Sequence, residues 1–404
     1  MSMPLEGIRV IDWTLWQMGP VCSALLGDLG ADVIKIEQRS FGDPGRAVRR
    51  ARGRSMLLAG GRNAYFETNN RNKRGLAVDL SKEAGKEIIY RLVKRSDVFV
   101  QNFRPGVAQR LLLDYRTLSR HNPRLIYANA SGYGPKGPES GMPSLDYLGL
   151  ARSGMMTAVP TSDGVPVEIN GSIADQMGAF LLAYGVLAAL LARERLGVGQ
   201  EVDSSHLGSM IALQGLHVGI SLLIKQELEV WPRTKAQNPL WNHYKCRDGR
   251  WIALALLQSD RYWHDFCRAL HIEHLETDPR FETMDKRADH CAELISILDQ
   301  VFATKTYEQW ADILRENKDF IFTVVQDRSE LATDPQVIAN EYITEYDHPV
   351  LGKVKMVGCP VKFSKTPPAI RLPAPEFGEH TEEILLEMGY TWDDIARLKE
   401  EEVL

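Results

Sequence analysis

No two of the five cysteines, Cys22, Cys246, Cys267, Cys291 and Cys359, are spaced as C-x-x-C, and their number is odd. That speaks against a disulfide framework or a zinc site and fits a reducing compartment. Positive charge is not in excess either. Lys and Arg number 48 against 53 Asp and Glu, the pI is near 6.1, and the broad basic face that nucleic acid demands is lacking. Long hydrophobic runs are scarce. The most apolar stretch, Met177 to Ala192, stops after 16 residues at Arg193, Glu194 and Arg195. It is shorter than the roughly 20 residues of a membrane span and reads as a buried helix. The N-terminal "MSMPLEGIRVIDW" enters a strand-like run without a basic n-region or an apolar h-region, so no secretory signal is expected. A cytoplasmic chain is expected, with no membrane and no nucleic acid among its partners.

What is present is ordinary for a globular protein: 404 residues, 44% hydrophobic and 25% charged, enough for two or three domains. Short β-branched runs, "IRVID", "DVIKIE", "DVFVQN" and "RLIYANA", alternate with helical stretches through the first two hundred residues. Strands covered on both faces by crossover helices have this texture, so the expected fold class is α/β with a parallel sheet. Beyond about residue 220 the pattern changes. "YKCRDGRWIALAL" sets Asp248-Gly249 between two strand-like runs, a hairpin signal, and amphipathic segments such as "TYEQWADILRENK" come after it. The expected domains are 1–220, a smaller α+β domain at 221–330, and a segment 331–404 that returns to the main body.

The stretch "SGYGPKGPESG" contains G-x-G-x-x-G at Gly132, Gly134 and Gly137. A dinucleotide fingerprint needs free N–H groups opening a long helix, whereas Pro135 and Pro138 remove two donors and Gly141 and Pro143 interrupt any helix beyond them. The stretch reads as an irregular loop. Ahead of the long apolar helix, Ser172 and Asp175 stand three apart. One reading is a serine cap with a carboxylate in the first turn; the other is a carboxylate kept ionised by the helix dipole and aimed as a nucleophile.

Arginines cluster at Arg46, Arg49, Arg50, Arg52 and Arg54, and again with Lys73 at Arg71 and Arg74. They are either a solvated face or phosphate and carboxylate ligands. Asn102 and Arg104 in "QNFRPG" lie just past an apolar strand, where open α/β sheets bind ligands. His206, His243, His264 and His290 have no metal-like spacing and read as structural or surface histidines, and no nucleophile elbow surrounds Ser204 and Ser205.

Taken together, "PLEGIRVIDWT", Gln17-x-Gly19-Pro20, "LGADVIKIE", "NKR" at Asn72–Arg74, "NFRPG", "ASGYGPKGP" and "GEHTEEIL" resemble the family III CoA-transferases, the group of formyl-CoA:oxalate and carnitine CoA-transferases. The resemblance covers nearly the whole chain. It implies a Rossmann-like large domain with an inserted smaller domain, and an interlocked homodimer. It implies no tightly bound cofactor and no metal; the substrates are a coenzyme A thioester and a carboxylic acid. Asp175 falls on the family's catalytic aspartate, which forms anhydride and CoA-thioester intermediates without ATP. The family's CoA contacts carry over to Gln17 and Met18 near the thioester, to Gln38 and Arg39 toward the adenine end, and to Leu80. They carry over also to Asn102, Phe103, Arg104, Arg110, and the segment Ser144–Tyr147 with Asp146.

Three departures stand out. "KAQNPLWNHYKC", with Leu240 and Trp241, replaces a glycine-rich flap; Gln38 replaces a basic residue; and "KDFIFTVVQ" replaces a "GIPCGPV"-like segment. Together with Trp13, Trp16, Tyr65 and Phe66, these changes suggest an apolar acyl pocket for an aromatic or branched acid. Two alternatives stay open. An α-methylacyl-CoA racemase-like enzyme would need a histidine before Asp146, where Leu145 stands. A non-catalytic subunit would work beside a partner chain in a heteromer.

Overall fold

The structure is a computed structural model that describes residues 2–159, 161 and 164–404. Two compact units divide the chain. One comprises 1–156, 167–225 and 335–404, the other 157–166 and 226–334.

In the first unit six strands, β1 (Arg9–Trp13), β2 (Asp32–Gln38), β3 (Lys73–Val78), β4 (Val98–Gln101), β5 (Ile126–Ser131) and β6 (Gln200–Ser205), form one sheet in the order β3-β2-β1-β4-β5-β6. Every pair is parallel. The order reverses between β1 and β4, the arrangement that opens a ligand crevice beyond the strand C-termini. Successive side chains of a strand point to opposite faces, and the strands use this fully. Ile11, Ile34, Leu76 and Phe99 join one core with Ile88 and Leu92 of helix α2 (Glu83–Val93). Val10, Val33, Val98 and Ile126 join another with α1 (Met18–Asp28) and α4 (Ile173–Leu196). Each fully buried aliphatic side chain contributes roughly 1.5–3 kcal/mol before entropy is charged against it, so the apolar residues that the inner strands send to both faces account for the parallel sheet.

Between β5 and α4 the chain forms α3 (Asp146–Arg152), and after β6 it forms α5 (His206–Leu213) and α6 (Gly215–Ile224). The C-terminal helices α7 (Thr381–Glu387) and α8 (Trp392–Glu400) place Ile384, Leu385, Ile395 and Leu398 in the α2-side core. An antiparallel hairpin pairs Ile343–His348 with Gly352–Val357.

Helix α4 corrects the expectation of a short buried helix. It runs for 24 residues, long and apolar enough by length and composition to cross a membrane. Its inner face, Ala179, Leu182, Ala183, Val186 and Leu190, lies in the core. Phe180, Tyr184, Leu187 and Leu191, spaced four, three and four apart, are exposed.

In the second unit Phe322–Val325, Trp251–Leu254 and His243–Lys245 form a three-stranded antiparallel sheet. The turn uses Gly249 at φ 85, which suits glycine. The helix Tyr307–Arg315 opens with a Thr306/Gln309 capping box and buries Trp310 beside Phe302. Leu240 is buried in this unit's core, while Trp241 is exposed.

Candidate active site

The C-terminal ends of β1 and β4 meet at the switch point. Asn102 ties them together, accepting the Leu15 N–H at 2.8 Å and donating to the Leu15 carbonyl at 2.7 Å. The loop so clamped holds Trp16 at φ 67, a left-handed conformation costly for an aromatic residue. The Trp16 N–H is bonded to Asp43 Oδ1 at 3.2 Å. From beneath, buried Lys35 donates to the Thr14 carbonyl at 3.0 Å and buried Lys73 to the Pro20 carbonyl at 2.8 Å. Lys35 pairs with Asp43 at 2.9 Å and Lys73 with Asp12 at 2.6 Å. Burial pushes the Asp12 carboxyl up, yet the adjacent Lys73 and Lys35 charges outweigh it and hold it at about 2. Burial takes Lys73 down to about 8 against the pull of Asp12.

This loop leads into α1, whose N-cap residue Gln17 makes no side-chain cap. Pro20 has no N–H, and those of Met18 and Gly19 have no partner among the described residues, so two donors are left at the helix start with the dipole behind them. The Met18 side chain packs on Gly178, where an added Cβ would stand 2.6 Å from its methyl group. That contact brings the second turn of α4, one turn beyond Asp175, beside the first turn of α1.

Asp175 is the third residue of α4, its side chain 18% exposed. The helix begins at Ser172, but Ser172 sits at φ 52 and its hydroxyl makes no cap. The expected serine cap is therefore corrected. Asp146, at the start of α3, supplies the acceptor instead: its Oδ1 takes the N–H groups of Ala174 at 2.7 Å and Asp175 at 3.1 Å. These are the two donors that an N-cap side chain normally satisfies. Burial raises the Asp146 carboxyl above its ordinary range; the Asp175 charge adds to this and the two N–H bonds oppose it.

The residue that sequence reading missed is His206. It opens α5, is nearly buried, and places Nε2 3.0 Å from Asp175 Oδ1. Its Nδ1 lies 3.2 Å from Ser144 Oγ. The approach depends on glycine. A Cβ on Gly149 would fall 2.7 Å from His206 Cβ and 2.9 Å from Ala174 Cβ. Gly132, first of the G-x-G-x-x-G glycines, abuts Ser144 in the same way, and its carbonyl accepts the Leu207 N–H at 3.1 Å. No helix forms between Gly137 and α3, so those glycines shape a loop that seats Ser144 and His206. Tyr65 lies within reach of the same carboxylates: burial first, then the charges of Asp175, Asp43 and Asp146, push its hydroxyl up.

The other expected ligands fall in several places. Arg104 and Arg110 are exposed and their guanidinium groups have no partner among the described residues. Phe103 stacks on Trp13 with centroids 4.1 Å apart. Gln38 Nε2 reaches Asp79 at 3.4 Å, and Arg39 Nε donates to the Leu404 oxygen at 2.5 Å. Leu80 is buried in the α2-side core.

The second arginine cluster is neither solvated nor open to ligands. Arg71 grips buried Asp28, Lys73 meets Asp12, and Arg74 is shared by Asp32, Glu383 and Glu387. In the first cluster Arg46 pairs with Glu37 over the Phe66 ring and Arg52 pairs with Glu168. Arg49, Arg50 and Arg54 stay exposed, and their guanidinium groups have no partner among the described residues. Of the four aromatic candidates for the acyl pocket, Trp13 and Phe66 are core and only Trp16 and Tyr65 retain accessible surface.

Residues 5–381 match the family described as CoA-transferase family III. An acyl-CoA transferase of Fusarium pseudograminearum is 34% identical over 99% of this chain and 88% of its own length. The (R)-2-hydroxy-4-methylpentanoate CoA-transferase of Clostridioides difficile is 31% identical over the full length of both. A crystal structure from Mycobacterium tuberculosis superposes with a TM-score of 0.82 at 29% identity, covering 95% of this chain and 99% of that one. A parallel sheet whose order reverses between β1 and β4 and a family match spanning almost the whole chain agree, and the chain belongs to CoA-transferase family III.

Proposed function

We propose that the protein moves CoA from an acyl-CoA to a free carboxylic acid through covalent intermediates on Asp175. Asp175 Oδ2 attacks the thioester carbonyl and expels the CoA thiolate, leaving a mixed anhydride. The thiolate attacks the aspartyl carbonyl, expels the first acid as its carboxylate, and gives an aspartyl-CoA thioester. The acceptor carboxylate attacks that thioester, and the returning thiolate takes the new acyl group from the second anhydride. Bonds of similar energy are exchanged throughout, so no ATP is consumed, and the nucleophilic carboxylate divides one hard transfer into easier steps.

The observation that carries this reading is the placement of Asp175: a partly exposed carboxylate in the first turn of α4, one oxygen held by His206, beside the uncapped start of α1. The α1 N–H groups and the Gln17 amide are suited to stabilising the oxyanion on the incoming thioester. Arg104, Arg110 and Arg39 are read as phosphate and adenine-end contacts, with Met18, Gln38, Leu80, Asn102, Phe103 and Asp146 shaping the crevice. Trp16 and Tyr65 favour a branched or aromatic acid, in keeping with the relative named for (R)-2-hydroxy-4-methylpentanoate.

The remaining expectations belong to the same proposal. The second unit is an inserted small domain. The exposed apolar face of α4 and α6, which has no buried residue, are covered by a second copy of the chain. Five unpaired cysteines suit a cytoplasmic setting. The racemase alternative is disfavoured by geometry. Two-base exchange needs acid and base on opposite faces of one carbon, whereas His206 and Asp175 touch each other.

The test is to incubate the protein with acyl-CoA esters, trap with borohydride or hydroxylamine, and map the adduct by peptide mass spectrometry. A label on Asp175, absent from Asp175→Ala, is expected. Full turnover by Asp175→Ala defeats the mechanism, and activity only on adding a second polypeptide favours the heteromeric reading.

A further inference from the structure

His206 is not among the residues that the family resemblance supplied, yet it makes the single side-chain hydrogen bond to the carboxylate of the proposed nucleophile among the described residues. We infer that His206 is a catalytic residue: its Nε2–H is the oxyanion donor for the aspartyl carbonyl in the steps that break the Asp175 intermediates. The inference rests on Asp175 being the nucleophile.

The geometry divides the two carboxylate oxygens. Oδ1 lies 3.0 Å from His206 Nε2, and Oδ2 has no protein partner among the described residues. Oδ2 is therefore the atom free to bond to the acyl carbon. Once it has done so, Oδ1 is the carbonyl oxygen of the aspartyl ester half. When the CoA thiolate attacks Cγ, the S–Cγ bond forms and the Cγ=Oδ1 π pair moves onto Oδ1. The pair returns as the Cγ–Oδ2 bond breaks, and the departing carboxylate takes the bonding electrons. No proton is gained or lost. Negative charge peaks on Oδ1, against the donor already in place. Attack of the acceptor carboxylate on the aspartyl-CoA thioester builds the same charge on the same oxygen. A donor fixed before the charge develops requires no reorganisation, which makes it effective.

The donor must carry its hydrogen on Nε2, and the surroundings provide for that. An ionised Asp175 carboxylate can only accept, so the 3.0 Å contact places the ring hydrogen on Nε2, and the Ser144 hydroxyl, 3.2 Å from Nδ1 and 3.3 Å from the Leu145 carbonyl, reinforces that tautomer when its hydrogen turns to Nδ1. The backbone N–H groups nearest Asp175 are not available for this task, because Asp146 takes those of both Ala174 and Asp175. Among the described residues, the charged and titratable groups facing the ring are Asp175 on α4 and Asp146 on α3. Helix α3 approaches the ring at Gly149, which has no side chain to displace it.

The experiment tracks the mass of the Asp175 peptide by rapid quench after mixing with acyl-CoA. In His206→Leu the aspartyl-CoA thioester should appear about 100- to 1000-fold more slowly, with the KM for acyl-CoA within about threefold of wild type. In His206→Gln, whose amide N–H reaches the same oxygen, most of that loss should be restored. Ser144→Ala, which leaves the ring in place without its Nδ1 partner, should slow the step several-fold and so gives an arm independent of whether His206→Leu folds. Wild-type thioester formation in His206→Leu, or in Ser144→Ala, overturns the assignment of His206. Failure of the wild-type protein to acquire any adduct on Asp175 overturns the nucleophile reading instead, so the two failures are told apart.

Discussion

Asp146 caps the helix that carries Asp175: its Oδ1 accepts the Asp175 backbone N–H at 3.1 Å across 29 residues of sequence. One carboxylate is thus used to position another, and the Asp175 charge so close by helps to raise the Asp146 carboxyl, which burial raises most.

Removing the cap separates its two effects. Asp146→Ala should destabilise the fold by about 1 kcal/mol, the usual cost of a lost N-cap, and should slow transfer because the first turn of α4 frays. Asp146→Asn keeps an acceptor and removes the repulsion. The Asp146 carboxyl is raised in the folded state, first by burial and then by the charge of Asp175. Its stabilising contribution is therefore fully present below the unfolded value of about 3.9 and is lost as pH rises through the folded value. Urea unfolding should show Asp146→Asn at least as stable as wild type at neutral pH, with no advantage in acid. Equal stabilities for all three proteins at neutral pH contradict the cap.

Gly149→Ala tests how closely three elements meet. The new methyl group would press on His206 Cβ and Ala174 Cβ at 2.7 and 2.9 Å, an overpacking worth about 1–3 kcal/mol. Because the strain falls on His206, kcat should drop more than KM changes. A variant with wild-type kcat and melting temperature shows that the ring has room to move.

The buried pair of Asp12 and Lys73 supports the β1–α1 loop. Lys73→Met leaves a buried carboxylate with the Thr14 and Ser23 hydroxyls and the field of Lys35 but no direct ion-pair partner and should cost about 3–5 kcal/mol, while Asp12→Leu combined with Lys73→Met should recover much of it. On the acid side Asp12, held at about 2, contributes stability that is present above about pH 4 and lost as pH falls toward 2, about 2 kcal/mol in all. Chemical denaturation between pH 2 and 5 measures it; an acid limb identical in wild type and the double variant excludes the pair as its source.

The uncovered face of α4 should be an interface between copies. Light scattering of the wild-type protein should give a dimer. Tyr184→Lys with Leu187→Asp, both at exposed positions, should abolish it, since each apolar anchor contributes roughly 1.5–3 kcal/mol when buried. A wild-type monomer, or an unaffected dimer in the variant, removes α4 from the interface.

The parallel sheet was legible because a strand covered on both faces carries β-branched apolar residues side by side, as the Val-Ile pairs of "RVIDW" and "DVIKIEQ" do, even though Asp12, Lys35 and Glu37 in the same strands are buried polar residues. Local pattern alone left Asp175 as an ordinary first-turn acid, since carboxylates are common at helix N-termini; it was the family motifs that singled it out as the candidate nucleophile. Composition and local spacing could not show that Ser172 turns away from its own helix, that Asp146 takes over the cap, or that Lys73 is an internal cation rather than a surface one. Nor could they show His206, 31 residues from Asp175, as its hydrogen-bond partner. Hydrophobic periodicity specifies which face of each element leaves water, and a single chain segment carries that information. Which polar atoms then meet depends on strand order, register and close approach at glycines such as Gly132 and Gly149, quantities that exist only once the sheet and its helices have assembled.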